Sequence, residues 1–186
     1  SAIREGSGLN TNRAKAAVSF WHYRQKKQER GTGGMNEHDV VIVTAEDDEG
    51  HALLIKKNLR RAGLSNEILH FMDGKETLDF LFSEEIEAKR HEGTCYLLLL
   101  DIRMPKVDGI EVLRRIKSTP ALKRMPVIMI TTTDDPREVA HCHELGCSSY
   151  VTKPIDYDKF ISAIRQLGLY LKVIEVPQVW NQTKNE

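Results

Sequence analysis

Leu97-Leu98-Leu99-Leu100-Asp101-Ile102-Arg103-Met104-Pro105-Lys106-Val107-Asp108-Gly109 is the stretch that decides the fold. Four consecutive leucines behind Cys95 and Tyr96 leave no polar face. The segment therefore predicts a strand buried on both sides, as strands of a parallel sheet are. The run stops at a carboxylate, Asp101, and Pro105 with Asp108-Gly109 turns the chain before the next helical pattern. Ligands of open α/β sheets bind at the carboxyl ends of strands, so Asp101 stands where chemistry is done.

Working outward, the same strand-then-helix pattern recurs on both sides. Val40 to Ala45 is a β-branched run ending at Glu46-Asp47-Asp48, which can also cap a helix bearing Ala52, Ile55, Leu59 and Ala62 and stopping at Gly63. A weaker strand is expected over about 67–71, and Asp73-Gly74 opens one helix with Leu78, Leu81, Phe82 and Ile86 on a single stripe. After Gly109, Val112, Leu113 and Ile116 face the core. Pro126 to Thr131 forms the fourth strand. The helix after Asp134-Asp135-Pro136 has only Val139, Cys142 and Leu145 as apolar positions and should pack weakly. Ser149 to Thr152 ends at Lys153-Pro154, and a last helix carries Phe160, Ile164 and Leu167. Five such βα units predict an α/β fold, a parallel five-stranded sheet doubly wound by right-handed crossovers. Neither a glycine-rich phosphate loop nor an internal repeat is present.

Composition narrows the function. Lys/Arg and Asp/Glu balance at 27 each, but seven of the basic residues and two of the acidic ones fall in residues 1–34. The remainder is mildly acidic, which gives no reason to expect direct nucleic-acid binding. No apolar run approaches the roughly 18 residues that cross a bilayer, and no signal-peptide core is seen. Neither a membrane nor export is expected. Three scattered cysteines, Cys95, Cys142 and Cys147, make no disulfide framework and suit a reducing cytoplasm. His141-Cys142-His143 does not read as a metal site, because residues two apart on a helix point about 200° away from each other. Residues 1–34 read as a leader before Met35, which offers a natural start. The other reading is a basic amphipathic helix through Ala14, Ala17, Val18 and Trp21.

The predicted strand ends deliver a constellation: Glu46 and Asp47 from the first, Asp101 from the third, Thr131 from the fourth and Lys153 from the fifth. Clustered carboxylates repel unless a cation shares them. Few hard oxygen ligands suggest Mg²⁺, with coordination left open for a phosphoryl oxygen. Lys153 can pair with Asp101 or with a phosphoryl group on it, and Thr131 supplies a hydroxyl donor. Each residue alone has a plain structural use. Together, in order along successive strands, they point to Asp101 as a nucleophile forming an acyl phosphate.

Residues 38–168 resemble the receiver domains of two-component response regulators. The resemblance rests on Glu46-Asp47, on Asp101 with Met104-Pro105 and Asp108-Gly109, on Thr131, and on Tyr150 with Lys153-Pro154. It implies the flavodoxin-like strand order 2-1-3-4-5 and a phosphoryl group passed to Asp101 from a phosphohistidine on a sensor histidine kinase. It further implies Mg²⁺ held by Asp47 and Asp101 directly, by Glu46 through water, and by the main-chain carbonyl of Arg103. Lys153 would bond the phosphoryl oxygen, Thr131 would swing toward it, and Tyr150 would turn into the vacated space. Such a protein promotes its own phosphorylation and dephosphorylation and is otherwise not an enzyme. Glu46-Asp47-Asp48, Thr131-Thr132-Thr133-Asp134-Asp135 and Leu167-Gly168-Leu169-Tyr170 are similar to small stand-alone receivers serving bacteriophytochrome kinases. Thr132 and Arg103 flank the path of the water that would hydrolyse the acyl phosphate, and so bear on its lifetime.

The expected organisation is a basic extension over 1–34, the receiver over 35–168 and a C-terminal extension over 169–186. The 18 residues after Gly168 are too few for a DNA-binding or catalytic output domain. The stripe Leu167, Tyr170, Leu171 and Ile174 continues past Gly168 and needs burial, against the domain or in a homodimer through the last helix. The homodimer is the favoured expectation. Two other functions compete. A haloacid-dehalogenase-type phosphotransferase also uses a strand-end Asp, but wants a second acid two residues on, where this chain has Arg103. A non-switching binding module is the other, although all five site residues are present.

Overall fold

The computed structural model describes residues 40–91 and 94–172. The basic segment 1–34, Ile174 and the rest of the C-terminal tail lie outside the described residues. Five parallel strands, β1 (Val40–Ala45), β2 (Ile68–Phe71), β3 (Cys95–Leu100), β4 (Val127–Thr131) and β5 (Ser149–Thr152), are ordered β2-β1-β3-β4-β5. The helices are α1 (Glu49–Arg61), α2 (Gly74–Leu81), α3 (Glu84–His91), α4 (Gly109–Ser118), α5 (Pro136–Glu144) and α6 (Tyr157–Leu171). The expected doubly wound sheet and its strand order are both observed.

β3 is the central strand, paired with β1 from Val40↔Cys95 to Ala45↔Leu100 and with β4 from Leu98↔Val127 to Leu100↔Met129. Successive side chains of a strand point to opposite faces, so the leucine run is shared between two cores. Tyr96, Leu98 and Leu100 join Val41 and Val43 beneath Leu81, Leu113, Ile116 and Cys142 of α2, α4 and α5. Leu97 and Leu99 join Ile42, Ile128 and Ile130 beneath Ile55, Leu59, Phe160 and Ile164 of α1 and α6. Each fully buried leucine contributes about 2 kcal/mol of transfer free energy. A polar residue anywhere in the run would be buried on one face or the other.

Aspartates start the helices. Asp48, Asp73, Asp108, Asp135 and Asp156 cap α1, α2, α4, α5 and α6, each accepting a backbone N–H of the first turn. Such a cap satisfies one of the donors that a helix N-terminus leaves orphaned.

The long helix expected from Gly74 through Ile86 is instead two. α2 ends at Leu81, where the Phe82 N–H bonds Leu78 O, and the Ser83 hydroxyl accepts the Ile86 N–H to start α3. The 3.6-residue spacing survives the break, but Phe82 turns outward and is 46% exposed, whereas Ile86 still reaches the core. A serine able to cap a helix supplies the stop signal.

Gly168 sits inside α6, where glycine costs a helix about 1 kcal/mol relative to alanine. The structure supplies the reason. A Cβ at this position would stand 2.6 Å from Ala62 Cβ, so the absence of a side chain lets α6 close on the end of α1. Leu167 and Leu171 pack against the α1–α6 core, and Leu169 and Tyr170 point away from it. The C-terminal stripe is thus partly used by the domain itself.

Candidate functional site

The parallel sheet brings the ends of β1, β3, β4 and β5 to one edge. The register that sets Ala45 beside Leu100 puts Glu46 and Asp101 one residue further on, where the Asp101 N–H donates to Ala45 O at 3.0 Å. On the opposite flank the Lys153 N–H donates to Thr131 O at 2.6 Å, so the end of β5 is carried over that of β4. Main-chain pairing alone therefore places all four segments.

Lys153 reaches back across the edge, its Nζ 2.5 Å from Glu46 Oε2 and 2.6 Å from Asp101 Oδ2. All three residues are buried, at 5%, 2% and 7% exposure respectively. Charges that deep persist only when paired and hydrogen-bonded, and one ammonium here serves two carboxylates. That leaves the trio one negative charge in excess. Burial pushes the Glu46 carboxyl above its ordinary value of 4.5 despite the opposing pull of Lys153, and the Asp101 charge adds to the rise.

Further groups fix Glu46. His70 Nε2 lies 2.7 Å from the Glu46 main-chain carbonyl, which can only accept, so this nitrogen carries the proton. His51 Nδ1 is 3.3 Å from Glu46 Oε1, and its ring rests against Phe160 with centroids 5.6 Å apart. Neither histidine was anticipated, because one lies five residues downstream on α1 and the other on β2. Only the folded register shows their approach.

The loop after β3 packs closely on Asp101. The Arg103 N–H lies 3.3 Å from Asp101 Oδ1, and the Gly109 N–H donates to Ile102 O at 2.9 Å. A Cβ on Gly109 would stand 2.0 Å from the Asp101 carbonyl oxygen, so the Asp108-Gly109 turn is a requirement of close backbone approach. Lys106, at φ 65° in the left-handed region, pairs with Asp73 and ties this loop to the start of α2. Met104 is buried in the core beneath it.

The remaining predicted residues flank the pocket. Thr131 is fully buried, and its Oγ1 has no hydrogen-bond partner. Tyr150 is half-buried against the α2–α4–α5 core, its hydroxyl donating to Thr133 O at 3.0 Å, and burial pushes its phenol up to about 12. Asp47 is exposed at the mouth. Glu46, Asp47 and Asp101 each offer an oxygen, and these oxygens all lie within 4.8 Å of one another. Two of the three are already shared by a single lysine, so a divalent cation fits both the hard-oxygen chemistry and the uncompensated charge.

The family model for the response regulator receiver domain matches residues 41–165. The chain belongs to the response regulator receiver family. A receiver domain from Rhodospirillum rubrum, known from its crystal structure, is 47% identical, with a TM-score of 0.70 over 74% of this chain and 97% of that one. Response regulator Rcp1 of Synechocystis sp. is 30% identical over 74% of this chain and 92% of its own length. The Mn²⁺-bound crystal structure of Rcp1 superposes with a TM-score of 0.66. The bacteriophytochrome response regulator RtBRR is 38% identical, with a TM-score of 0.56, covering 74% of this chain and 83% of that one. Receiver domains bind a divalent metal at an acidic pocket, and the β1 and β3 ends of this chain carry an acidic cluster. Among the described residues, no helix is long and apolar enough to cross a membrane.

Proposed function

We propose that this receiver takes a phosphoryl group on Asp101 from a phosphohistidine of a sensor kinase. The observation that carries the proposal is the Asp101 carboxylate, buried at a strand end with Oδ2 on Lys153 and two further acids beside it. An Asp101 oxygen attacks phosphorus, the P–N bond to the imidazole breaks, and the leaving nitrogen keeps the electron pair. Lys153 exchanges part of its contact with the carboxylates for a phosphoryl oxygen, so its charge is in place before transfer and needs no reorganisation. Asp47, Asp101, Glu46 and the Arg103 carbonyl would hold the metal, for which Mg²⁺ is the expected ion. When bound, it neutralises phosphoryl charge in transfer. Thr131 Oγ1, buried without a partner, is free to bond the phosphoryl group, and Tyr150 follows into the space it leaves.

The likeness to Rcp1 and RtBRR supports a bacteriophytochrome-type kinase as the donor. Three free thiols support a reducing, cytoplasmic setting. The receiver is assigned to 35–168, preceded by a basic extension. The segment 169–186, together with the exposed Leu169 and Tyr170 of α6, is assigned to a homodimer contact.

Incubation with acetyl phosphate and Mg²⁺, followed by intact-mass measurement, tests the site. The wild type gains one phosphoryl group, and Asp101→Asn gains none. Unchanged uptake in Asp101→Asn would falsify the assignment. Sedimentation of the same samples tests the dimer, which Tyr170→Glu should dissociate.

A further inference from the structure

Glu46 is gripped at three points. Its Oε2 takes Lys153 Nζ at 2.5 Å, and its main-chain carbonyl takes His70 Nε2 at 2.7 Å. Its Oε1 lies 3.3 Å from His51 Nδ1. The two ends of this third contact differ, with the Glu46 side chain 2% exposed and that of His51 44%. A carboxylate oxygen so deep needs a donor, and among the described residues His51 is the one that faces Oε1. Local sequence delivers the imidazole. Asp48 is the N-cap of α1 and accepts the His51 N–H at 2.8 Å. His51 is therefore the third residue of the helix, and a side chain there points back toward the helix N-terminus. A capping-box glutamate uses that direction to reach the cap; here an imidazole reaches past the cap to Glu46. Phe160 of α6, buried in the core, packs against the ring with centroids 5.6 Å apart. A backbone cap and a core aromatic thus set the imidazole.

The geometry points to His51 as a positioning residue of the metal site: through Nδ1 it fixes the Glu46 carboxylate in the orientation that serves a divalent cation shared with Asp47 and Asp101. The three acids offer oxygens within 4.8 Å of one another. Lys153 alone would leave Glu46 free to pivot about Oε2 and turn both oxygens to the ammonium, away from the other acids. His51 holds the second oxygen and removes that freedom. An ionised carboxylate has about four lone-pair sites, so with one donor on each oxygen Glu46 still has acceptors for a water on the ion. Groups that orient ligating carboxylates hold about 10- to 100-fold of metal affinity. The inference rests on the acidic cluster being the metal site, and it does not require Asp101 to be the phosphoacceptor.

The test is Mn²⁺ binding to the full chain, followed by electron paramagnetic resonance without any phosphodonor and repeated by competition with Mg²⁺. His51→Phe keeps an aromatic ring for Phe160 and removes the donor. His51→Asn keeps an amide N–H near the place of Nδ1 and removes the ring. Thermal unfolding in EDTA establishes that each variant is folded. His51→Phe should weaken Mn²⁺ binding about tenfold, the low end of the range because Lys153 still anchors Oε2. His51→Asn should recover most of that loss. In a Glu46→Ala background, with no carboxylate left to orient, His51→Phe should have no further effect. A role in packing alone gives the reverse order, with His51→Phe binding like the wild type and His51→Asn binding less. That order, or a His51→Phe effect that persists in Glu46→Ala, overturns the inference and leaves the acidic cluster as the metal site. A wild type that binds no Mn²⁺ overturns both.

Discussion

The acids at the β1 and β3 ends are tied from several directions. Lys153 bonds Glu46 and Asp101 together, His70 holds the Glu46 main chain, and the Asp101 backbone is pressed against Gly109. Across the same edge, the α5–β5 side is slacker, although β4 itself is buried throughout. Thr131 Oγ1 is buried without a partner, α5 contributes Cys142 as its buried residue, and β5 has none of its four residues fully buried, against all six in β3. Elements that move are drawn from the weakly packed end of a fold. The contrast suggests that chemistry is fixed on one side so that its consequence can be expressed on the other.

Lys153→Met attacks the fixed side most directly. Removing one partner of a buried ion pair costs about 3–5 kcal/mol, and here two carboxylates lose their cation at once. Urea unfolding at neutral pH should show a loss of that order, with phosphoryl uptake abolished. The pH dependence carries the sign. Burial already raises the Glu46 carboxyl in the native state, and losing Lys153 raises it further. The part of the penalty carried by Glu46 is therefore absent below the ordinary value of 4.5 and grows as pH rises past the raised value that Glu46 already has in the wild type. A loss independent of pH would show that Lys153 acts through packing of its stem instead.

Gly109→Ala tests whether the loop is as rigid as the contacts imply. The new Cβ would stand 2.0 Å from the Asp101 carbonyl oxygen and 2.9 Å from the Ile102 Cα, both backbone atoms that cannot swing aside. We expect a loss of about 2–3 kcal/mol and a slower phosphoryl uptake, measured by unfolding and by mass. Wild-type values for both would mean that the loop yields freely, and the contrast between the two sides would fail.

Thr131→Val probes the slack side and should have the opposite consequence for stability. The two side chains have nearly the same shape, and the hydroxyl removed has no partner. Relief of an unpaired buried polar group is worth about 1 kcal/mol, so stability should hold or rise while the phosphorylation-dependent change around Tyr150 is lost. That change can be followed by the NMR signals of Tyr150 and α5 with and without acetyl phosphate. A clear destabilisation would mean that the hydroxyl is satisfied, for instance by a buried water, and that the site is not poised.

How much of this was legible in the sequence divides along the same line. The leucine run, the β-branched strands and the turn residues reveal the sheet because periodicity reports burial directly. The strand-end residues follow from it, since a parallel sheet sends all its carboxyl ends to one edge. What stayed hidden depends on distance between segments that are remote in the chain. His70 beneath Glu46, Asp73 with Lys106, and Arg103 with Glu138 are set by how helices and loops settle on the sheet, and no local pattern encodes them. The break at Ser83 is hidden for a different reason: two helices in sequence can keep one hydrophobic period.

The smallest expected effect lies at Tyr150, and it separates slackness from looseness. If the β4–β5 side were merely disordered, the phenol would titrate near its ordinary value of 10. Its burial, with the Cys142 and Glu138 charges adding to the rise, instead places it at about 12. The neutral phenol is the form the fold favours, so its contribution to stability is intact below the ordinary value and is lost as pH rises from there toward about 12. Ultraviolet titration of the native protein should show one late tyrosine that Tyr150→Phe removes. The same substitution should cost about 0.5–1 kcal/mol at neutral pH, the net worth of one hydrogen bond, and should flatten the alkaline limb of the stability profile. An early titration, or a Tyr150→Phe protein as stable as the wild type, would mean that Tyr150 is not held in its unphosphorylated position. A switch must be held in one state before it can move to another, so that result would turn the weakly packed side from a readout into a region that carries no signal.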